Sequence, residues 1–329
     1  MKRRSFVKDL AYTSAGLAIM GTLACNKTGQ DSGSTATTMK SEPFFQLSLA
    51  QWSLNKAIRE GNMDPKDFAK KAAELGFKGL EYVNHLYNSE FAGSSNILSS
   101  ISSLVSTLNT NAKDNGVENL IMMVDEQQDL AVRDRAARKQ GIEDHKKWID
   151  MANGLGCHTV RTNLFGFDGS AEERADWGAD ALMRLCEYAK PLGMNVVIEN
   201  HGYLSSDPNW LTGVIKSVNM DNCGILPDFG NFCLNRKDGA KWGECVEEYD
   251  DPYGAIKMMM PYAKGVSAKS YAFDEAGNET KIDFVKMMQI VKDAGYKGYV
   301  GVEYEGDIDE EQGIAKTKEL LLKVVDQLT

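Results

Sequence analysis

The sequence predicts an α/β protein, a (β/α)8 TIM barrel of alternating parallel strands and helices. Three observations predict it. About eight short, near-continuous apolar segments of β-forming residues recur between residues 45 and 306, as parallel strands buried on both faces do. Amphipathic stretches with apolar residues at helical spacing lie between them. Helix-stop glycines, Gly76, Gly116, Gly156, Gly193 and Gly295, stand just before the next strand. Strand, loop, helix and stop, repeated over roughly 280 residues, close naturally into a barrel. No G-x-G-x-x-G follows the first strand, so an open doubly wound sheet with a nucleotide site lacks its signature.

Residues 1–25, "MKRRSFVKDLAYTSAGLAIMGTLAC", carry a basic start with Arg3 and Arg4, an apolar stretch from Leu10 to Leu23, and small residues before Cys25. This order marks an export signal that takes no part in the fold. "RRSFVK" resembles a twin-arginine signal and "TLAC" a bacterial lipoprotein box, with Cys25 as the lipidated first residue of the mature chain. The apolar run is too short and too rich in Gly, Ser and Thr to span a membrane comfortably. Residues 26–43 read as a polar tether, and residues 44–329 as the catalytic barrel domain. The expected location is the periplasm or cell envelope, with membrane contact only through the lipid at Cys25.

The strand candidates are "FQLSLAQW" (45–52), "GLEYVN" (79–84), "NLIMMVD" (119–125), "HTVRTNL" (158–164), "NVVIENH" (195–201), "CGILPDFG" (223–230), "KGVSAKSY" (264–271) and "YVGVEYEG" (299–306). Helical spacing is clear over 64–77, 145–157, 179–194 and 282–296. His145 stands at the start of one such stretch, and Trp148 and Met151 within it read as core. A net charge of -10 without a basic stripe outside the extreme N-terminus excludes nucleic acid as a partner. Beyond Cys25, five cysteines remain with no C-x-x-C pair, which leaves room for one disulfide and implies no disulfide framework.

In a barrel of this kind the chemistry sits at the C-terminal ends of the strands. Those ends offer Glu199 and His201 on the fifth strand, Asp228 on the sixth, Ser267 and Lys269 on the seventh, and Glu303 and Glu305 on the eighth. Strand side chains alternate, so the two members of each pair share a face. Carboxylates that converge in a low-dielectric mouth repel one another, and a divalent cation, Mn, Mg, Co or Zn, resolves the conflict. Glu199 and Glu303 lie deep in apolar runs, where an unpaired acid is costly. Earlier strand ends add Gln51, Trp52, Glu81, Arg161 and Asn163 as candidates for substrate contact.

The succession "VVIENHG", "PDFGN" and "GYVGVEYEG" resembles the xylose isomerase-like TIM-barrel superfamily of sugar phosphate isomerases and epimerases over roughly residues 44–328. That resemblance implies a divalent metal held by Glu199, Asp228 and Glu303, with Glu199 and Glu303 as base and acid. Where the family commonly carries H-x-K-D, this chain has Ser267, Ala268, Lys269 and Ser270, and Asn231 replaces a frequent histidine. Lys269 then serves to stabilise an enediolate, while His201, Arg161, Asn163, Trp52, Glu81, Asn231 and Glu305 contact a small sugar substrate. The implied chemistry is isomerisation or epimerisation beside a carbonyl. Lyase or hydratase chemistry on a 3-keto-sugar, and a non-catalytic carbohydrate-binding lipoprotein, stay open as alternatives. Export and the acidic "EGDIDEEQG" segment argue for a non-phosphorylated substrate.

Overall fold

A computed structural model describes residues 42–92 and 97–328. The expected signal segment, and the tether as far as residue 41, lie outside the described residues. Among these residues ten strands run in chain order: β1 Gln46–Ala50, β2 Gly79–Val83, β3 Glu118–Val124, β4 Thr159–Thr162, β5 Asn195–Glu199, β6 Cys223–Leu226, β7 Cys233–Arg236, β8 Cys245–Glu248, β9 Val266–Ser270 and β10 Tyr299–Tyr304. Eight of them form one parallel sheet in the order β6-β5-β4-β3-β2-β1-β10-β9. Parallel bridges from Ile225 to Ala263 and from Asp228 to Ser267 join its two ends and close the barrel. Each of the eight segments expected from the sequence is a barrel strand.

All the barrel strands but β3 are shorter than the apolar runs that announced them. β5 stops at Glu199 because the next side chain takes over the role of the ladder: Asn200 donates Nδ2 to the Asp228 carbonyl at 2.9 Å and accepts the Asp228 N–H at 2.7 Å. An amide side chain satisfies the backbone where a regular rung would have to continue. His201, expected on the same face as Glu199, lies just past the end of the strand with its N–H donated to Ser205, and it lines the cleft.

Principal helices Ile97–Asp114, Arg135–Leu155, Ala171–Ala189, Pro208–Val218, Pro252–Met259, Phe284–Asp293 and Glu310–Val325 cover the outside, with shorter Phe68–Glu74 after β1. Six of them are capped in the first turn by an acid or Ser, as at Asp134, which accepts the Ala136 and Ala137 N–H groups, and at the Ser170–Glu173 capping box. At the other end Gly156 takes φ +79° and returns its N–H to Ala152 and Asn153, a conformation that costs other residues about 1 kcal/mol or more. Gly76, Gly116, Gly193 and Gly295 end their segments with the same positive φ. Leu49, Leu80, Val160, Val196, Ile225 and Val302 are buried strand residues, each contributing about 1.5–3 kcal/mol through burial.

The hairpin β7–β8 is a departure from the repeat. It is antiparallel, inserted between β6 and helix Pro252–Met259, and tied by a disulfide between Cys233 and Cys245. Cys157, Cys186 and Cys223 are free and buried.

Candidate functional site

The floor of the site is built from four strand ends. Glu199 closes β5, Asp228 follows β6, Ser267 and Lys269 lie in β9, and Glu303 lies in β10 opposite Lys269 in register. All are buried. Glu199, Asp228 and Glu303 each bring a carboxylate oxygen to within 4.8 Å of the others. The three acids singled out from the sequence thus meet in one volume.

Two cations are threaded among them. Arg161 binds Asp125 at 2.6 Å through Nη1 and lies 2.9 Å from Glu199 Oε2 through Nε. Lys269 Nζ lies 2.6 Å from Glu303, 3.0 Å from Glu305 and 3.9 Å from Asp228. Neutral donors complete the shell: Asn231 Nδ2 donates to Glu199 Oε1 at 2.9 Å, and Gly230 N–H donates to Asp228 Oδ1 at 2.9 Å. Ser267, at the position where an imidazole was expected by resemblance, donates its hydroxyl to Asp228 at 2.5 Å and reaches Glu303 at 3.3 Å.

These contacts set the protonation states. Burial pushes the Glu199 carboxyl well above the usual range, against the pull of Arg161 and with the push of Glu303 and Asp228. Burial also raises Asp228 to about 7, with Lys269 opposing and Glu303 adding. Asp125 is half-buried, and desolvation alone would raise it, yet Arg161 holds it well below the usual range. Burial alone would lower Lys269, but Glu303, Glu305 and Asp228 outweigh it and raise its pKa well above the ordinary value. Desolvation of the His201 ring, reinforced by the Arg161 charge, lowers its pKa to about 3 and keeps it neutral.

The donor set fits a hard divalent cation. Three carboxylates and a hydroxyl are all oxygen ligands, as Mg²⁺ and Mn²⁺ prefer. Glu199 Oε2 is buried and accepts no hydrogen bond, despite the nearby Arg161 Nε. Such an oxygen keeps a lone pair free for a cation beside its ion pair with Arg161.

A cleft of about 630 Å³ opens above the floor, lined by Asp125, Arg161, Asn231, Glu303 and Glu305 among others. Trp52, Arg59 and His85 form one group in its wall, with Arg59 stacked 4.7 Å from the Trp52 ring centre and His85 edge-on to it at 5.6 Å. His201, Arg236 and Trp242 form another. Three expected substrate contacts do not line this cleft. Glu81 is enclosed inside the barrel, 1% exposed and bonded to Ser48 at 2.6 Å, and Asn163 is spent on Asp125 at 2.6 Å. Gln51 turns to Tyr87 and the Val83 N–H instead of the cleft. His145 lies inside helix Arg135–Leu155, held between the Gly141 carbonyl and Thr162, and Trp148 and Met151 are core.

Five residues of the site were not singled out from the sequence: Asp125, Arg59, His85, Arg236 and Trp242. Asp125 ends the apolar run of β3 as Glu199 ends that of β5, so the strand-end rule points to it equally. Arg236 and Trp242 belong to the hairpin segment, whose only trace in the sequence is the pair of cysteines that ties it.

Residues 69–324 match the family described as xylose isomerase-like TIM barrel. No curated protein matches the chain. Among solved structures, D-psicose 3-epimerase in the presence of D-fructose is similar at a TM-score of 0.60 and 16% identity, over 85% of this chain and 97% of that one. A probable 3-DHS dehydratase from Bacillus anthracis is similar at 0.60 and 16%, over 84% and 98%. A xylose isomerase-like TIM barrel protein from Mycobacterium smegmatis in complex with magnesium is similar at 0.59 and 18%, over 86% and 97%. At these identities the likeness is one of fold.

Proposed function

The chain belongs to the xylose isomerase-like TIM barrel family, and from that premise we propose that it is a metal-dependent isomerase or epimerase of a non-phosphorylated sugar or keto-sugar. The observation that carries this reading is the meeting of Glu199, Asp228 and Glu303 within 4.8 Å beneath an open cleft. D-Psicose 3-epimerase with D-fructose, and the magnesium complex of a family member, share the fold and support it.

Glu199, Asp228 and Glu303 would hold the cation, with Ser267 as a neutral oxygen beside them. A divalent ion so placed would polarise a carbonyl and its neighbouring hydroxyl, acidifying the C–H between them. Glu199 and Glu303 then move the proton: one carboxylate takes it from carbon and the other returns one to the product. Asn231 fixes the Glu199 carboxylate and Lys269 fixes that of Glu303, so each can act only along a defined direction. Lys269, charged and dry, stabilises negative charge developing on substrate oxygen. Arg161 keeps Asp125 ionised and at the same time limits how far Glu199 can be pushed toward its acid form.

A lyase or hydratase acting on a 3-keto-sugar would use the same floor, and the extended aromatic wall of the cleft favours it as the second reading. We place the mature protein in the periplasm or cell envelope, anchored by lipid at Cys25. Residues 1–25 support this, and the disulfide between Cys233 and Cys245 agrees with an oxidising compartment.

The test is metal analysis of the mature domain beside its Glu199→Gln and Glu303→Gln variants, with ketose turnover followed in deuterated water. An isomerase or epimerase incorporates one solvent hydrogen at the reacting carbon, and each variant should lose both bound metal and turnover. Unchanged metal content and full turnover in both variants would overturn the mechanism.

A further inference from the structure

Trp242 is 52% exposed, an unusual state for an indole at the lip of a polar cleft, and it is fixed from several directions. Its ring stands edge-on to Phe165 at 5.5 Å and to His201 at 5.3 Å. On its N-terminal side Lys241 binds Asp129 at 2.7 Å and the Ala240 carbonyl accepts the Tyr203 hydroxyl at 2.5 Å. On its C-terminal side Arg236 donates to the Gly243 carbonyl at 2.7 Å, and the disulfide ties the two strands together. An exposed aromatic held this rigidly loses little entropy when something stacks on it.

Two polar atoms beside it lack partners. Arg236 Nε and His201 Nδ1 are buried and make no hydrogen bond among the described residues. Both residues line the cleft with Trp242. Arg236 also packs over Gly202, where an added Cβ would lie 3.5 Å from Nη2. Buried polar atoms without partners cost about 1–3 kcal/mol each unless a ligand satisfies them. A flat apolar face with two unmet polar atoms at its edge matches a ring that presents a CH or π face to the indole and oxygens at its rim. The floor of carboxylates, by contrast, is polar throughout. A volume of about 630 Å³ lies near the middle of the range for small-ligand sites and exceeds the needs of one sugar ring.

We propose that Trp242, Arg236 and His201 form a subsite for a second ring, joined to the sugar held at the carboxylates, so that the substrate class is a glycoside and not a free monosaccharide. The inference rests on the reading of the barrel mouth as a carbohydrate site. The disulfide-tied hairpin is then the element that sets specificity, since it alone brings Trp242 and Arg236 to the cleft.

The test measures binding without turnover. Glucose, phenyl β-D-glucopyranoside and cellobiose are titrated into the mature protein with magnesium present, by calorimetry and by saturation-transfer NMR. The wild type should bind at least one two-ring probe about tenfold more tightly than glucose, and Trp242→Ala should bring that ratio close to one. The Cys233→Ser/Cys245→Ser double variant, which frees the hairpin, should lower the ratio as well. Preference for the phenyl probe identifies an aryl glycoside, and preference for cellobiose a disaccharide. A ratio near one in the wild type, no binding of any probe, or a ratio unmoved by Trp242→Ala would overturn the subsite. Because no chemistry is followed, such a failure leaves the acid–base reading to be judged separately by the Glu199→Gln and Glu303→Gln variants.

Discussion

Glu81→Gln should stabilise the protein at pH 8 and leave it nearly unchanged at pH 4.5. Glu81 lies on β2, paired in register with Ala50 of β1, and its side chain is 1% exposed inside the barrel. Ser48 donates to Oε1 at 2.6 Å, while Oε2 has no hydrogen-bond partner among the described residues. Burial raises its pKa from 4.5 to about 7, with Ser48 opposing, Glu303 adding and Arg161 opposing. A carboxyl whose folded pKa exceeds its unfolded value binds the proton more tightly when folded, so stability falls as pH rises. The loss begins near pH 4.5, where the unfolded chain starts to ionise, and is complete above pH 7. At about 1.4 kcal/mol for each tenfold change in proton affinity, the rise corresponds to a penalty of about 3 kcal/mol. Gln keeps the shape and the acceptor for Ser48 but does not titrate. The assay is urea unfolding of both proteins at several pH values. Their difference isolates Glu81 from the other carboxyls that titrate in the same window. It should grow by about 3 kcal/mol in favour of the variant between pH 4.5 and pH 8, and a difference that stays flat across that range would refute the reasoning.

Two further substitutions probe the floor. Lys269→Met leaves Glu303 and Glu305 without their shared cation, and breaking a buried pair in this way costs about 3–5 kcal/mol; thermal melts should show the deficit in EDTA and a partial recovery on adding Mn²⁺. Ser267→His adds a nitrogen ligand to an all-oxygen set, so competition binding should move preference from Mg²⁺ or Mn²⁺ toward Zn²⁺, and an unchanged order of affinities would count against Ser267 facing the cation.

The barrel is legible in the sequence because its eight units repeat one physical solution: an apolar strand buried on both faces, a helix with one apolar stripe and, in five of them, a glycine that accepts positive φ where the helix stops. Glu199, Asp228, Glu303 and Lys269 are legible for a related reason, since an ionisable side chain inside an apolar run contradicts its surroundings. Glu81 shows the limit of that rule. It contradicts its surroundings equally, yet it sits one layer below the mouth, and depth along a strand of five residues cannot be read from period-two alternation. His201 reaches the cleft from beyond the strand, where the Asn200 side chain replaces the next rung of the ladder. Arg236 and Trp242 are illegible because an insertion obeys no repeat, and what brings them to the cleft is a long-range bond between Cys233 and Cys245.

Charge explains why the cluster needs more than its own side chains. Arg161 and Lys269 are in contact with Asp125, Glu199, Asp228, Glu303 and Glu305, so five carboxylates less two cations leave an excess of about three negative charges if all are ionised. Low dielectric makes that excess expensive. Protons are one remedy, and they settle where fixed cations help least: Glu199 and Asp228 rise while Asp125, held by Arg161, stays low. A divalent cation is the other remedy, and it would meet the same two carboxyls together with Glu303. Lys269 is therefore no substitute for that ion. Removing the ammonium would deepen the excess to about four, so the lysine and a cation act on the same side of the balance, each making the other carboxylates easier to keep charged and ready to move a proton.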